Sequence, residues 1–194
     1  MATSFNESVG MCGKMGKIIN LFQRNRTTLN KNYEKEAEKL LDEIWNTSDW
    51  MSDFSYGYGF SGFGCGVEFL IQNKFVEGEV DEILTEIDYL IFKIIDERPN
   101  IPIDIKRGLL GLVCYFFHRL HYREKEENST TLNLKEYTIY LIDWIDDILP
   151  FFKKRSDLYE LFFCLILLHQ LNIYNSKIEH LLNLCNLKIS SLDK

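Results

Sequence analysis

Five cysteines, four histidines and a few acids enclosed by apolar residues are the groups with which this 194-residue chain could do chemistry. Cys65, Cys114 and Cys164 stand 49 and 50 residues apart, each six residues beyond a helix-opening position. Thiolates bind zinc well and a helix start lowers a thiol's pKa, which makes Cys114 and Cys164 candidate metal ligands or nucleophiles. Packed helices, however, lie about 8–10 Å apart, whereas sulfurs sharing one zinc with bonds near 2.3 Å must come much closer. Free cysteine is also among the most buried residue types, so a column of core cysteines is the preferred reading.

Cys114, His118 and His121 fall at i, i+4 and i+7 on one helix face and form a second metal candidate. The simpler reading sets His118 and His121 near a helix C-terminus, where basic side chains suit the dipole and the last carbonyls need donors. Arg119 and Arg123 favour it, and His169, five residues after Cys164, is off that register. Glu68, enclosed by Val67, Phe69, Leu70 and Ile71, must be paired or protonated if buried, so it is the one candidate catalytic carboxyl. A structural role as hydrogen-bond acceptor is preferred for it. Asp143, Asp146 and Asp147 on a striped helix read as a solvated face, and the mixed-charge tract from Arg123 to Thr130 as a loop.

The wider composition narrows the function classes. With 22 Lys+Arg against 29 Asp+Glu the net charge is −7, which argues against a dedicated binder of nucleic acid or anionic membrane. Length and 46 % hydrophobic residues suit one domain with one core, at residues 1–194. Met1 to Ser8 lacks a basic region followed by an apolar stretch, so no secretory signal is expected and the location predicted is cytoplasmic. The apolar runs Gly108 to Phe117 and Leu161 to Leu168 fall short of the roughly 20 residues of a membrane span. An odd number of cysteines without a CxxC predicts reduced thiols.

The elements that must position these groups repeat about every fifty residues. Gly13-Lys14-Met15-Gly16, Gly59-Phe60-Ser61-Gly62 and Gly108-Leu109-Leu110-Gly111 each open an apolar run, and Leu158 and Leu161 occupy the glycine positions of a fourth. The repeats run approximately over 8–50, 51–100, 101–152 and 153–194. Between the runs lie helices with a single apolar stripe, the clearest carrying Val80, Ile83, Leu84, Ile87, Ile91 and Ile95, with Pro99 beyond its end. Ser176 and Glu179 predict a capping box for the last helix. Helices apolar on most sides alternate with striped ones, which predicts an all-α fold of inner and outer layers, a partial α/α toroid of about four helix pairs. Gly at helix starts costs about 1 kcal/mol relative to Ala, so close backbone approach or a positive φ in the preceding loop is expected there.

The segments Gly10 to Ile18, Gly59 to Asn73 with Phe75-Val76-Glu77-Gly78, and Arg107 to Gly111 resemble the lanthionine synthetase C-like proteins over residues 8 to about 120. The matching motif positions are Gly13, Gly16, Gly59, Gly62, Gly64, Gly66, Gly108 and Gly111. The resemblance implies a double-layered α/α toroid and a role in maturing ribosomally made peptides, where catalytic members add a cysteine thiol across a dehydrated Ser or Thr. Those members hold zinc with two cysteines and a histidine, one Cys and the His being adjacent. This chain has no Cys-His pair and four recognisable repeats against the family's seven.

The expectation is therefore a non-catalytic lanthionine synthetase C-like protein that binds a precursor peptide or a peptide-modifying enzyme, with no cofactor favoured. The rivals are a zinc-dependent cyclase half completed by a partner chain, an α/α-toroid hydrolase using Glu68, and a helical scaffold. A hydrolase needs two opposed carboxyls, and the apolar runs supply Glu68 and Glu160 alone. Apolar flanks left on the first and last inner helices predict self-association or a partner chain closing the ring.

Overall fold

Apolar residues recur at three- and four-residue spacing along the chain, and it folds into helices accordingly. The computed structural model describes residues 8–46, 49–123 and 125–192. The leader reading over residues 1–7 and Glu124 of the mixed-charge tract lie outside the described residues. Eight helices follow in order: α1 (Lys14–Thr28), α2 (Lys31–Trp45), α3 (Phe60–Gln72), α4 (Val80–Glu97), α5 (Leu109–Leu120), α6 (Ser129–Ile148), α7 (Arg155–Gln170) and α8 (Asn175–Ser191). The structure is 73 % helix with no strand among the described residues, which makes the class all-α. No described helix is long and apolar enough to cross a membrane.

The chain divides into two compact units, Met1–Asp88 and Tyr89–Lys194, with the division inside α4. In the first, Leu29 and Asn30 alone separate α1 from α2; Leu29 takes a left-handed conformation at φ 55° and the Asn30 side chain accepts the Asn32 N–H at 3.1 Å, ending one helix and capping the next. Ion pairs Lys14–Glu43 (3.0 Å) and Lys17–Glu36 (2.7 Å) bridge the two helices. Both are part-exposed and contribute little; the packing of Met15, Ile18, Ala37 and Ile44 does more.

In the second unit α5 packs on α6 and α7, and α7 on α8. The Asn128 side chain caps α6 by accepting the Thr131 N–H at 2.8 Å. The Tyr137 ring lies flat on Phe92, with centroids 4.0 Å apart, and its hydroxyl donates to Asp96 at 2.9 Å.

Two expectations need correcting. The capping box at Ser176 and Glu179 does not form: α8 starts two residues earlier than that box requires, after Tyr174 in a left-handed conformation, and no side chain caps it. Ser176 is thus already inside the first turn, and Glu179 reaches His169 at 3.4 Å instead. Nor is every run-opening helix enclosed. α3 and α5 are buried on most sides, but α7 leaves Tyr159, Phe163 and Ile166 exposed, because its neighbours α5 and α8 cover only its other faces.

Candidate functional site

The glycines that open α3 and α5 each sit in a backbone cradle of the same form. Before α3, the Gly59 N–H donates to the Ser55 carbonyl (2.8 Å) and the Phe60 N–H to the Asp53 carbonyl (2.8 Å). Before α5, the Gly108 N–H donates to the Asp104 carbonyl (3.0 Å) and the Leu109 N–H to the Pro102 carbonyl (2.9 Å), the same offsets in sequence. A Cβ at Gly59 would stand 1.8 Å from the Asp53 oxygen and one at Gly108 1.8 Å from the Pro102 oxygen, so only a hydrogen fits. No glycine among the described residues has a positive φ, which corrects that part of the expectation: Gly59 and Gly108 are required by close approach. Gly13 immediately precedes α1; Gly16, Gly62 and Gly111 are the third residues of α1, α3 and α5; Gly64 and Gly66 lie two and four residues further along α3.

The cysteine column divides between the units. Cys65, in α3, is buried in the first unit. In the second lie Cys114 of α5 and Cys164 of α7, both buried. The Cys164 Sγ points at the Leu110 carbonyl, 3.7 Å away, one turn before Cys114. The interaction with Cys114 first, and burial second, push the Cys164 thiol above its ordinary value. The Glu160 charge opposes ionisation of both.

His118 does not join them in a metal centre. Burial, and secondarily the neighbouring His121, lowers its pKa, so it is neutral at pH 7. That corrects the reading of His118 as a cation serving the end of α5. Among the described residues no group of three or more His, Cys, Asp or Glu is arranged to hold a metal ion. Cys114, His118 and Cys164 thus do not match the two-cysteine, one-histidine zinc set that the family resemblance implies. Glu68 is buried in α3 and accepts a hydrogen bond from the Gln72 side chain at 2.9 Å. Its place is one turn from a structural partner on its own helix.

Two cavities were not legible in the sequence. One, of about 340 Å³ in the second unit, is walled by Ile101, Ile103, Leu109, Trp144 and Phe151, with Arg98 at its edge. Arg98 leaves α4 at φ 44° and its guanidinium pairs with Asp147 at 2.6 Å. The proline-bracketed Pro99 to Pro102 segment was the available signal, since it cannot continue a helix and must leave a loop between α4 and α5. The other cavity, of about 410 Å³ in the first unit, adjoins the exposed Cys12 with Lys14, Lys17 and Glu43.

No protein-family model, no curated protein and no solved structure matches the chain.

Proposed function

We propose that this chain is a lanthionine synthetase C-like helical-repeat protein, a partial α/α toroid, that serves the maturation of ribosomally made peptides by binding rather than by catalysis. The observation that carries this reading is the recurrence of the glycine cradle before α3 and α5 with the same backbone hydrogen bonds and the same 1.8 Å approach. It supports the view that the Gly-x-x-Gly period is an architectural period, the feature on which the resemblance rests. The cavity beside Trp144 and Phe151 is lined by apolar side chains together with Arg98 and Asn100, a mixed surface that suits a peptide's apolar side chain and its backbone.

Association with another chain is part of the same proposal. Leu109, Val113 and Phe116 in α5 are buried, whereas the residues fifty positions on in α7, Tyr159, Phe163 and Ile166, are 50 %, 52 % and 40 % exposed. An apolar flank of this kind favours self-association or a modifying enzyme as partner.

The test is selection of a phage-displayed peptide library on the purified protein, followed by affinity measurement of the enriched peptides on the protein and on Phe151→Ser, a change at a residue 69 % exposed. A consensus containing an aliphatic or aromatic residue, bound at least tenfold more weakly by Phe151→Ser, is expected. Absence of a consensus, or equal binding by the variant, overturns peptide binding at this cavity. Metal analysis of protein purified without chelator addresses the cyclase alternative: stoichiometric zinc that is lost in Cys114→Ala would replace the non-catalytic reading.

A further inference from the structure

The cavity of the second unit has a polar corner as well as apolar sides. Arg98 and Asn100, both exposed, line it together with Trp144, Ile148 and Phe151. The Arg98 N–H donates to the Ile94 carbonyl at 3.0 Å, closing the end of α4 with a residue in a left-handed conformation. Asp147 of α6 holds the guanidinium through Nη1 alone, at 2.6 Å, which leaves Nη2 and Nε without a partner among the described residues. The two side chains are 41 % and 66 % exposed, and a pair so exposed contributes little, so a second carboxylate can share or take the guanidinium at small cost. Other acids near it in sequence are engaged: Asp96 accepts from the Tyr137 hydroxyl at 2.9 Å, Glu97 pairs with Lys93 at 3.7 Å, and Asp146 pairs with Lys177. The N–H groups of Asn100, Ile101 and Ile103 donate to no carbonyl of the described residues, which leaves main-chain donors in the loop that lines the cavity.

We propose that this cavity takes the last residue of a peptide chain, its aliphatic or aromatic side chain against Trp144 and Phe151 and its free carboxylate on the Arg98 guanidinium. The inference rests on the peptide-binding reading of the cavity and names the part of the peptide that is recognised. At about 340 Å³ the cavity lies at the small end of ligand pockets, which suits one large residue rather than a run of chain. A chain end supplies an apolar side chain and a carboxylate on one Cα, and the guanidinium fork matches a carboxylate at two points. A free N-acylated amino acid carries the same pair of groups but lacks the preceding main chain that the loop N–H groups would hold. Asp147 is then a competitor for Arg98, which makes its removal diagnostic.

The experiment uses the full chain and fluorescein-labelled tetrapeptides of three glycines followed by Phe, Leu or Trp, each as the free acid and as the C-terminal amide, with binding followed by anisotropy. Arg98→Gln and Asp147→Asn, both at exposed side chains, are checked for fold by circular dichroism. At least one acid is expected to bind tenfold or more tightly than its amide, and Arg98→Gln to abolish that difference. Asp147→Asn should tighten the acid at least twofold and leave the amide unchanged, an effect that a purely structural ion pair would not give. Competition by N-acetyl-leucine or N-acetyl-phenylalanine as strong as that by the unlabelled peptide overturns the peptide in favour of a small acid. Equal binding of acid and amide, both weakened by Phe151→Ser, overturns the carboxylate inference and leaves peptide binding in place. Failure of every acid to bind while the phage library still yields a consensus does the same, and failure of both experiments removes the peptide reading as well.

Discussion

Gly59 lies so close to the carbonyl oxygen of Asp53 that a Cβ would stand 1.8 Å from it, and that oxygen is already the acceptor for the Phe60 N–H. Alanine at position 59 must therefore push away the loop that starts α3. Gly59→Ala and Gly108→Ala are each expected to cost about 2–3 kcal/mol. Gly78→Ala, whose added Cβ would meet the flexible Cδ1 ends of Ile83 at 2.9 Å and Ile71 at 3.6 Å, should cost under about 1 kcal/mol. Urea unfolding of the three variants measures this, and equal losses would refute the cradle.

Among the described residues, glycine is absent from the positions where backbone conformation alone would favour it. Leu29 is 85 % exposed and holds φ 55° at the end of α1. A left-handed conformation costs a residue with a Cβ about 1–2 kcal/mol. Leu29→Gly should raise stability by about 0.5–1 kcal/mol, after the greater freedom of glycine in the unfolded chain is subtracted. A higher urea midpoint at unchanged slope is the expected readout, and a lower midpoint would contradict it.

Burial, and then its hydrogen bond to Asp96, pushes the Tyr137 phenol from 10.0 up to about 12. The folded state thus keeps a proton that the unfolded chain gives up nearer pH 10. The resulting stabilisation is whole below pH 10 and falls away as pH rises toward 12. Ultraviolet titration should show a late-ionising tyrosine that Asp96→Ala moves back toward the ordinary value; a titration unchanged by that substitution would sink the assignment.

Phe163, half exposed on α7, lies in the centre of the flank formed with Tyr159 and Ile166. Light scattering of the protein at tens of micromolar is expected to report association, and Phe163→Glu to abolish it by placing a charge in that apolar face. A strictly monomeric parent protein would count against the flank as an interface.

Much of the helical pattern was readable from spacing alone. The stripe from Val80 to Ile95 became α4, and its acidic first turn and the proline beyond its end marked the boundaries. The Gly-x-x-Gly segments marked the starts of α1, α3 and α5. Ser176 and Glu179 misled, because a capping box is only an option for a chain whose Glu has no better partner, and His169 was brought within reach of Glu179 by the packing of α7 on α8.

The sequence by itself determined the all-α class and the fifty-residue recurrence of helix openings, since helix formation is written in periodicities of three to four residues and glycine recurrence is a property of the chain. Tertiary structure alone decided that Gly59 and Gly108 are demanded by carbonyl oxygens six residues back, that the Cys164 thiol of α7 reaches the Leu110 carbonyl of α5, and that burial lowers the pKa of His118. Each of these depends on distances between atoms that spacing leaves free: a loop folded back on its own helix start, or the seam between helices fifty residues apart, where a displacement of a few ångströms separates a contact from none.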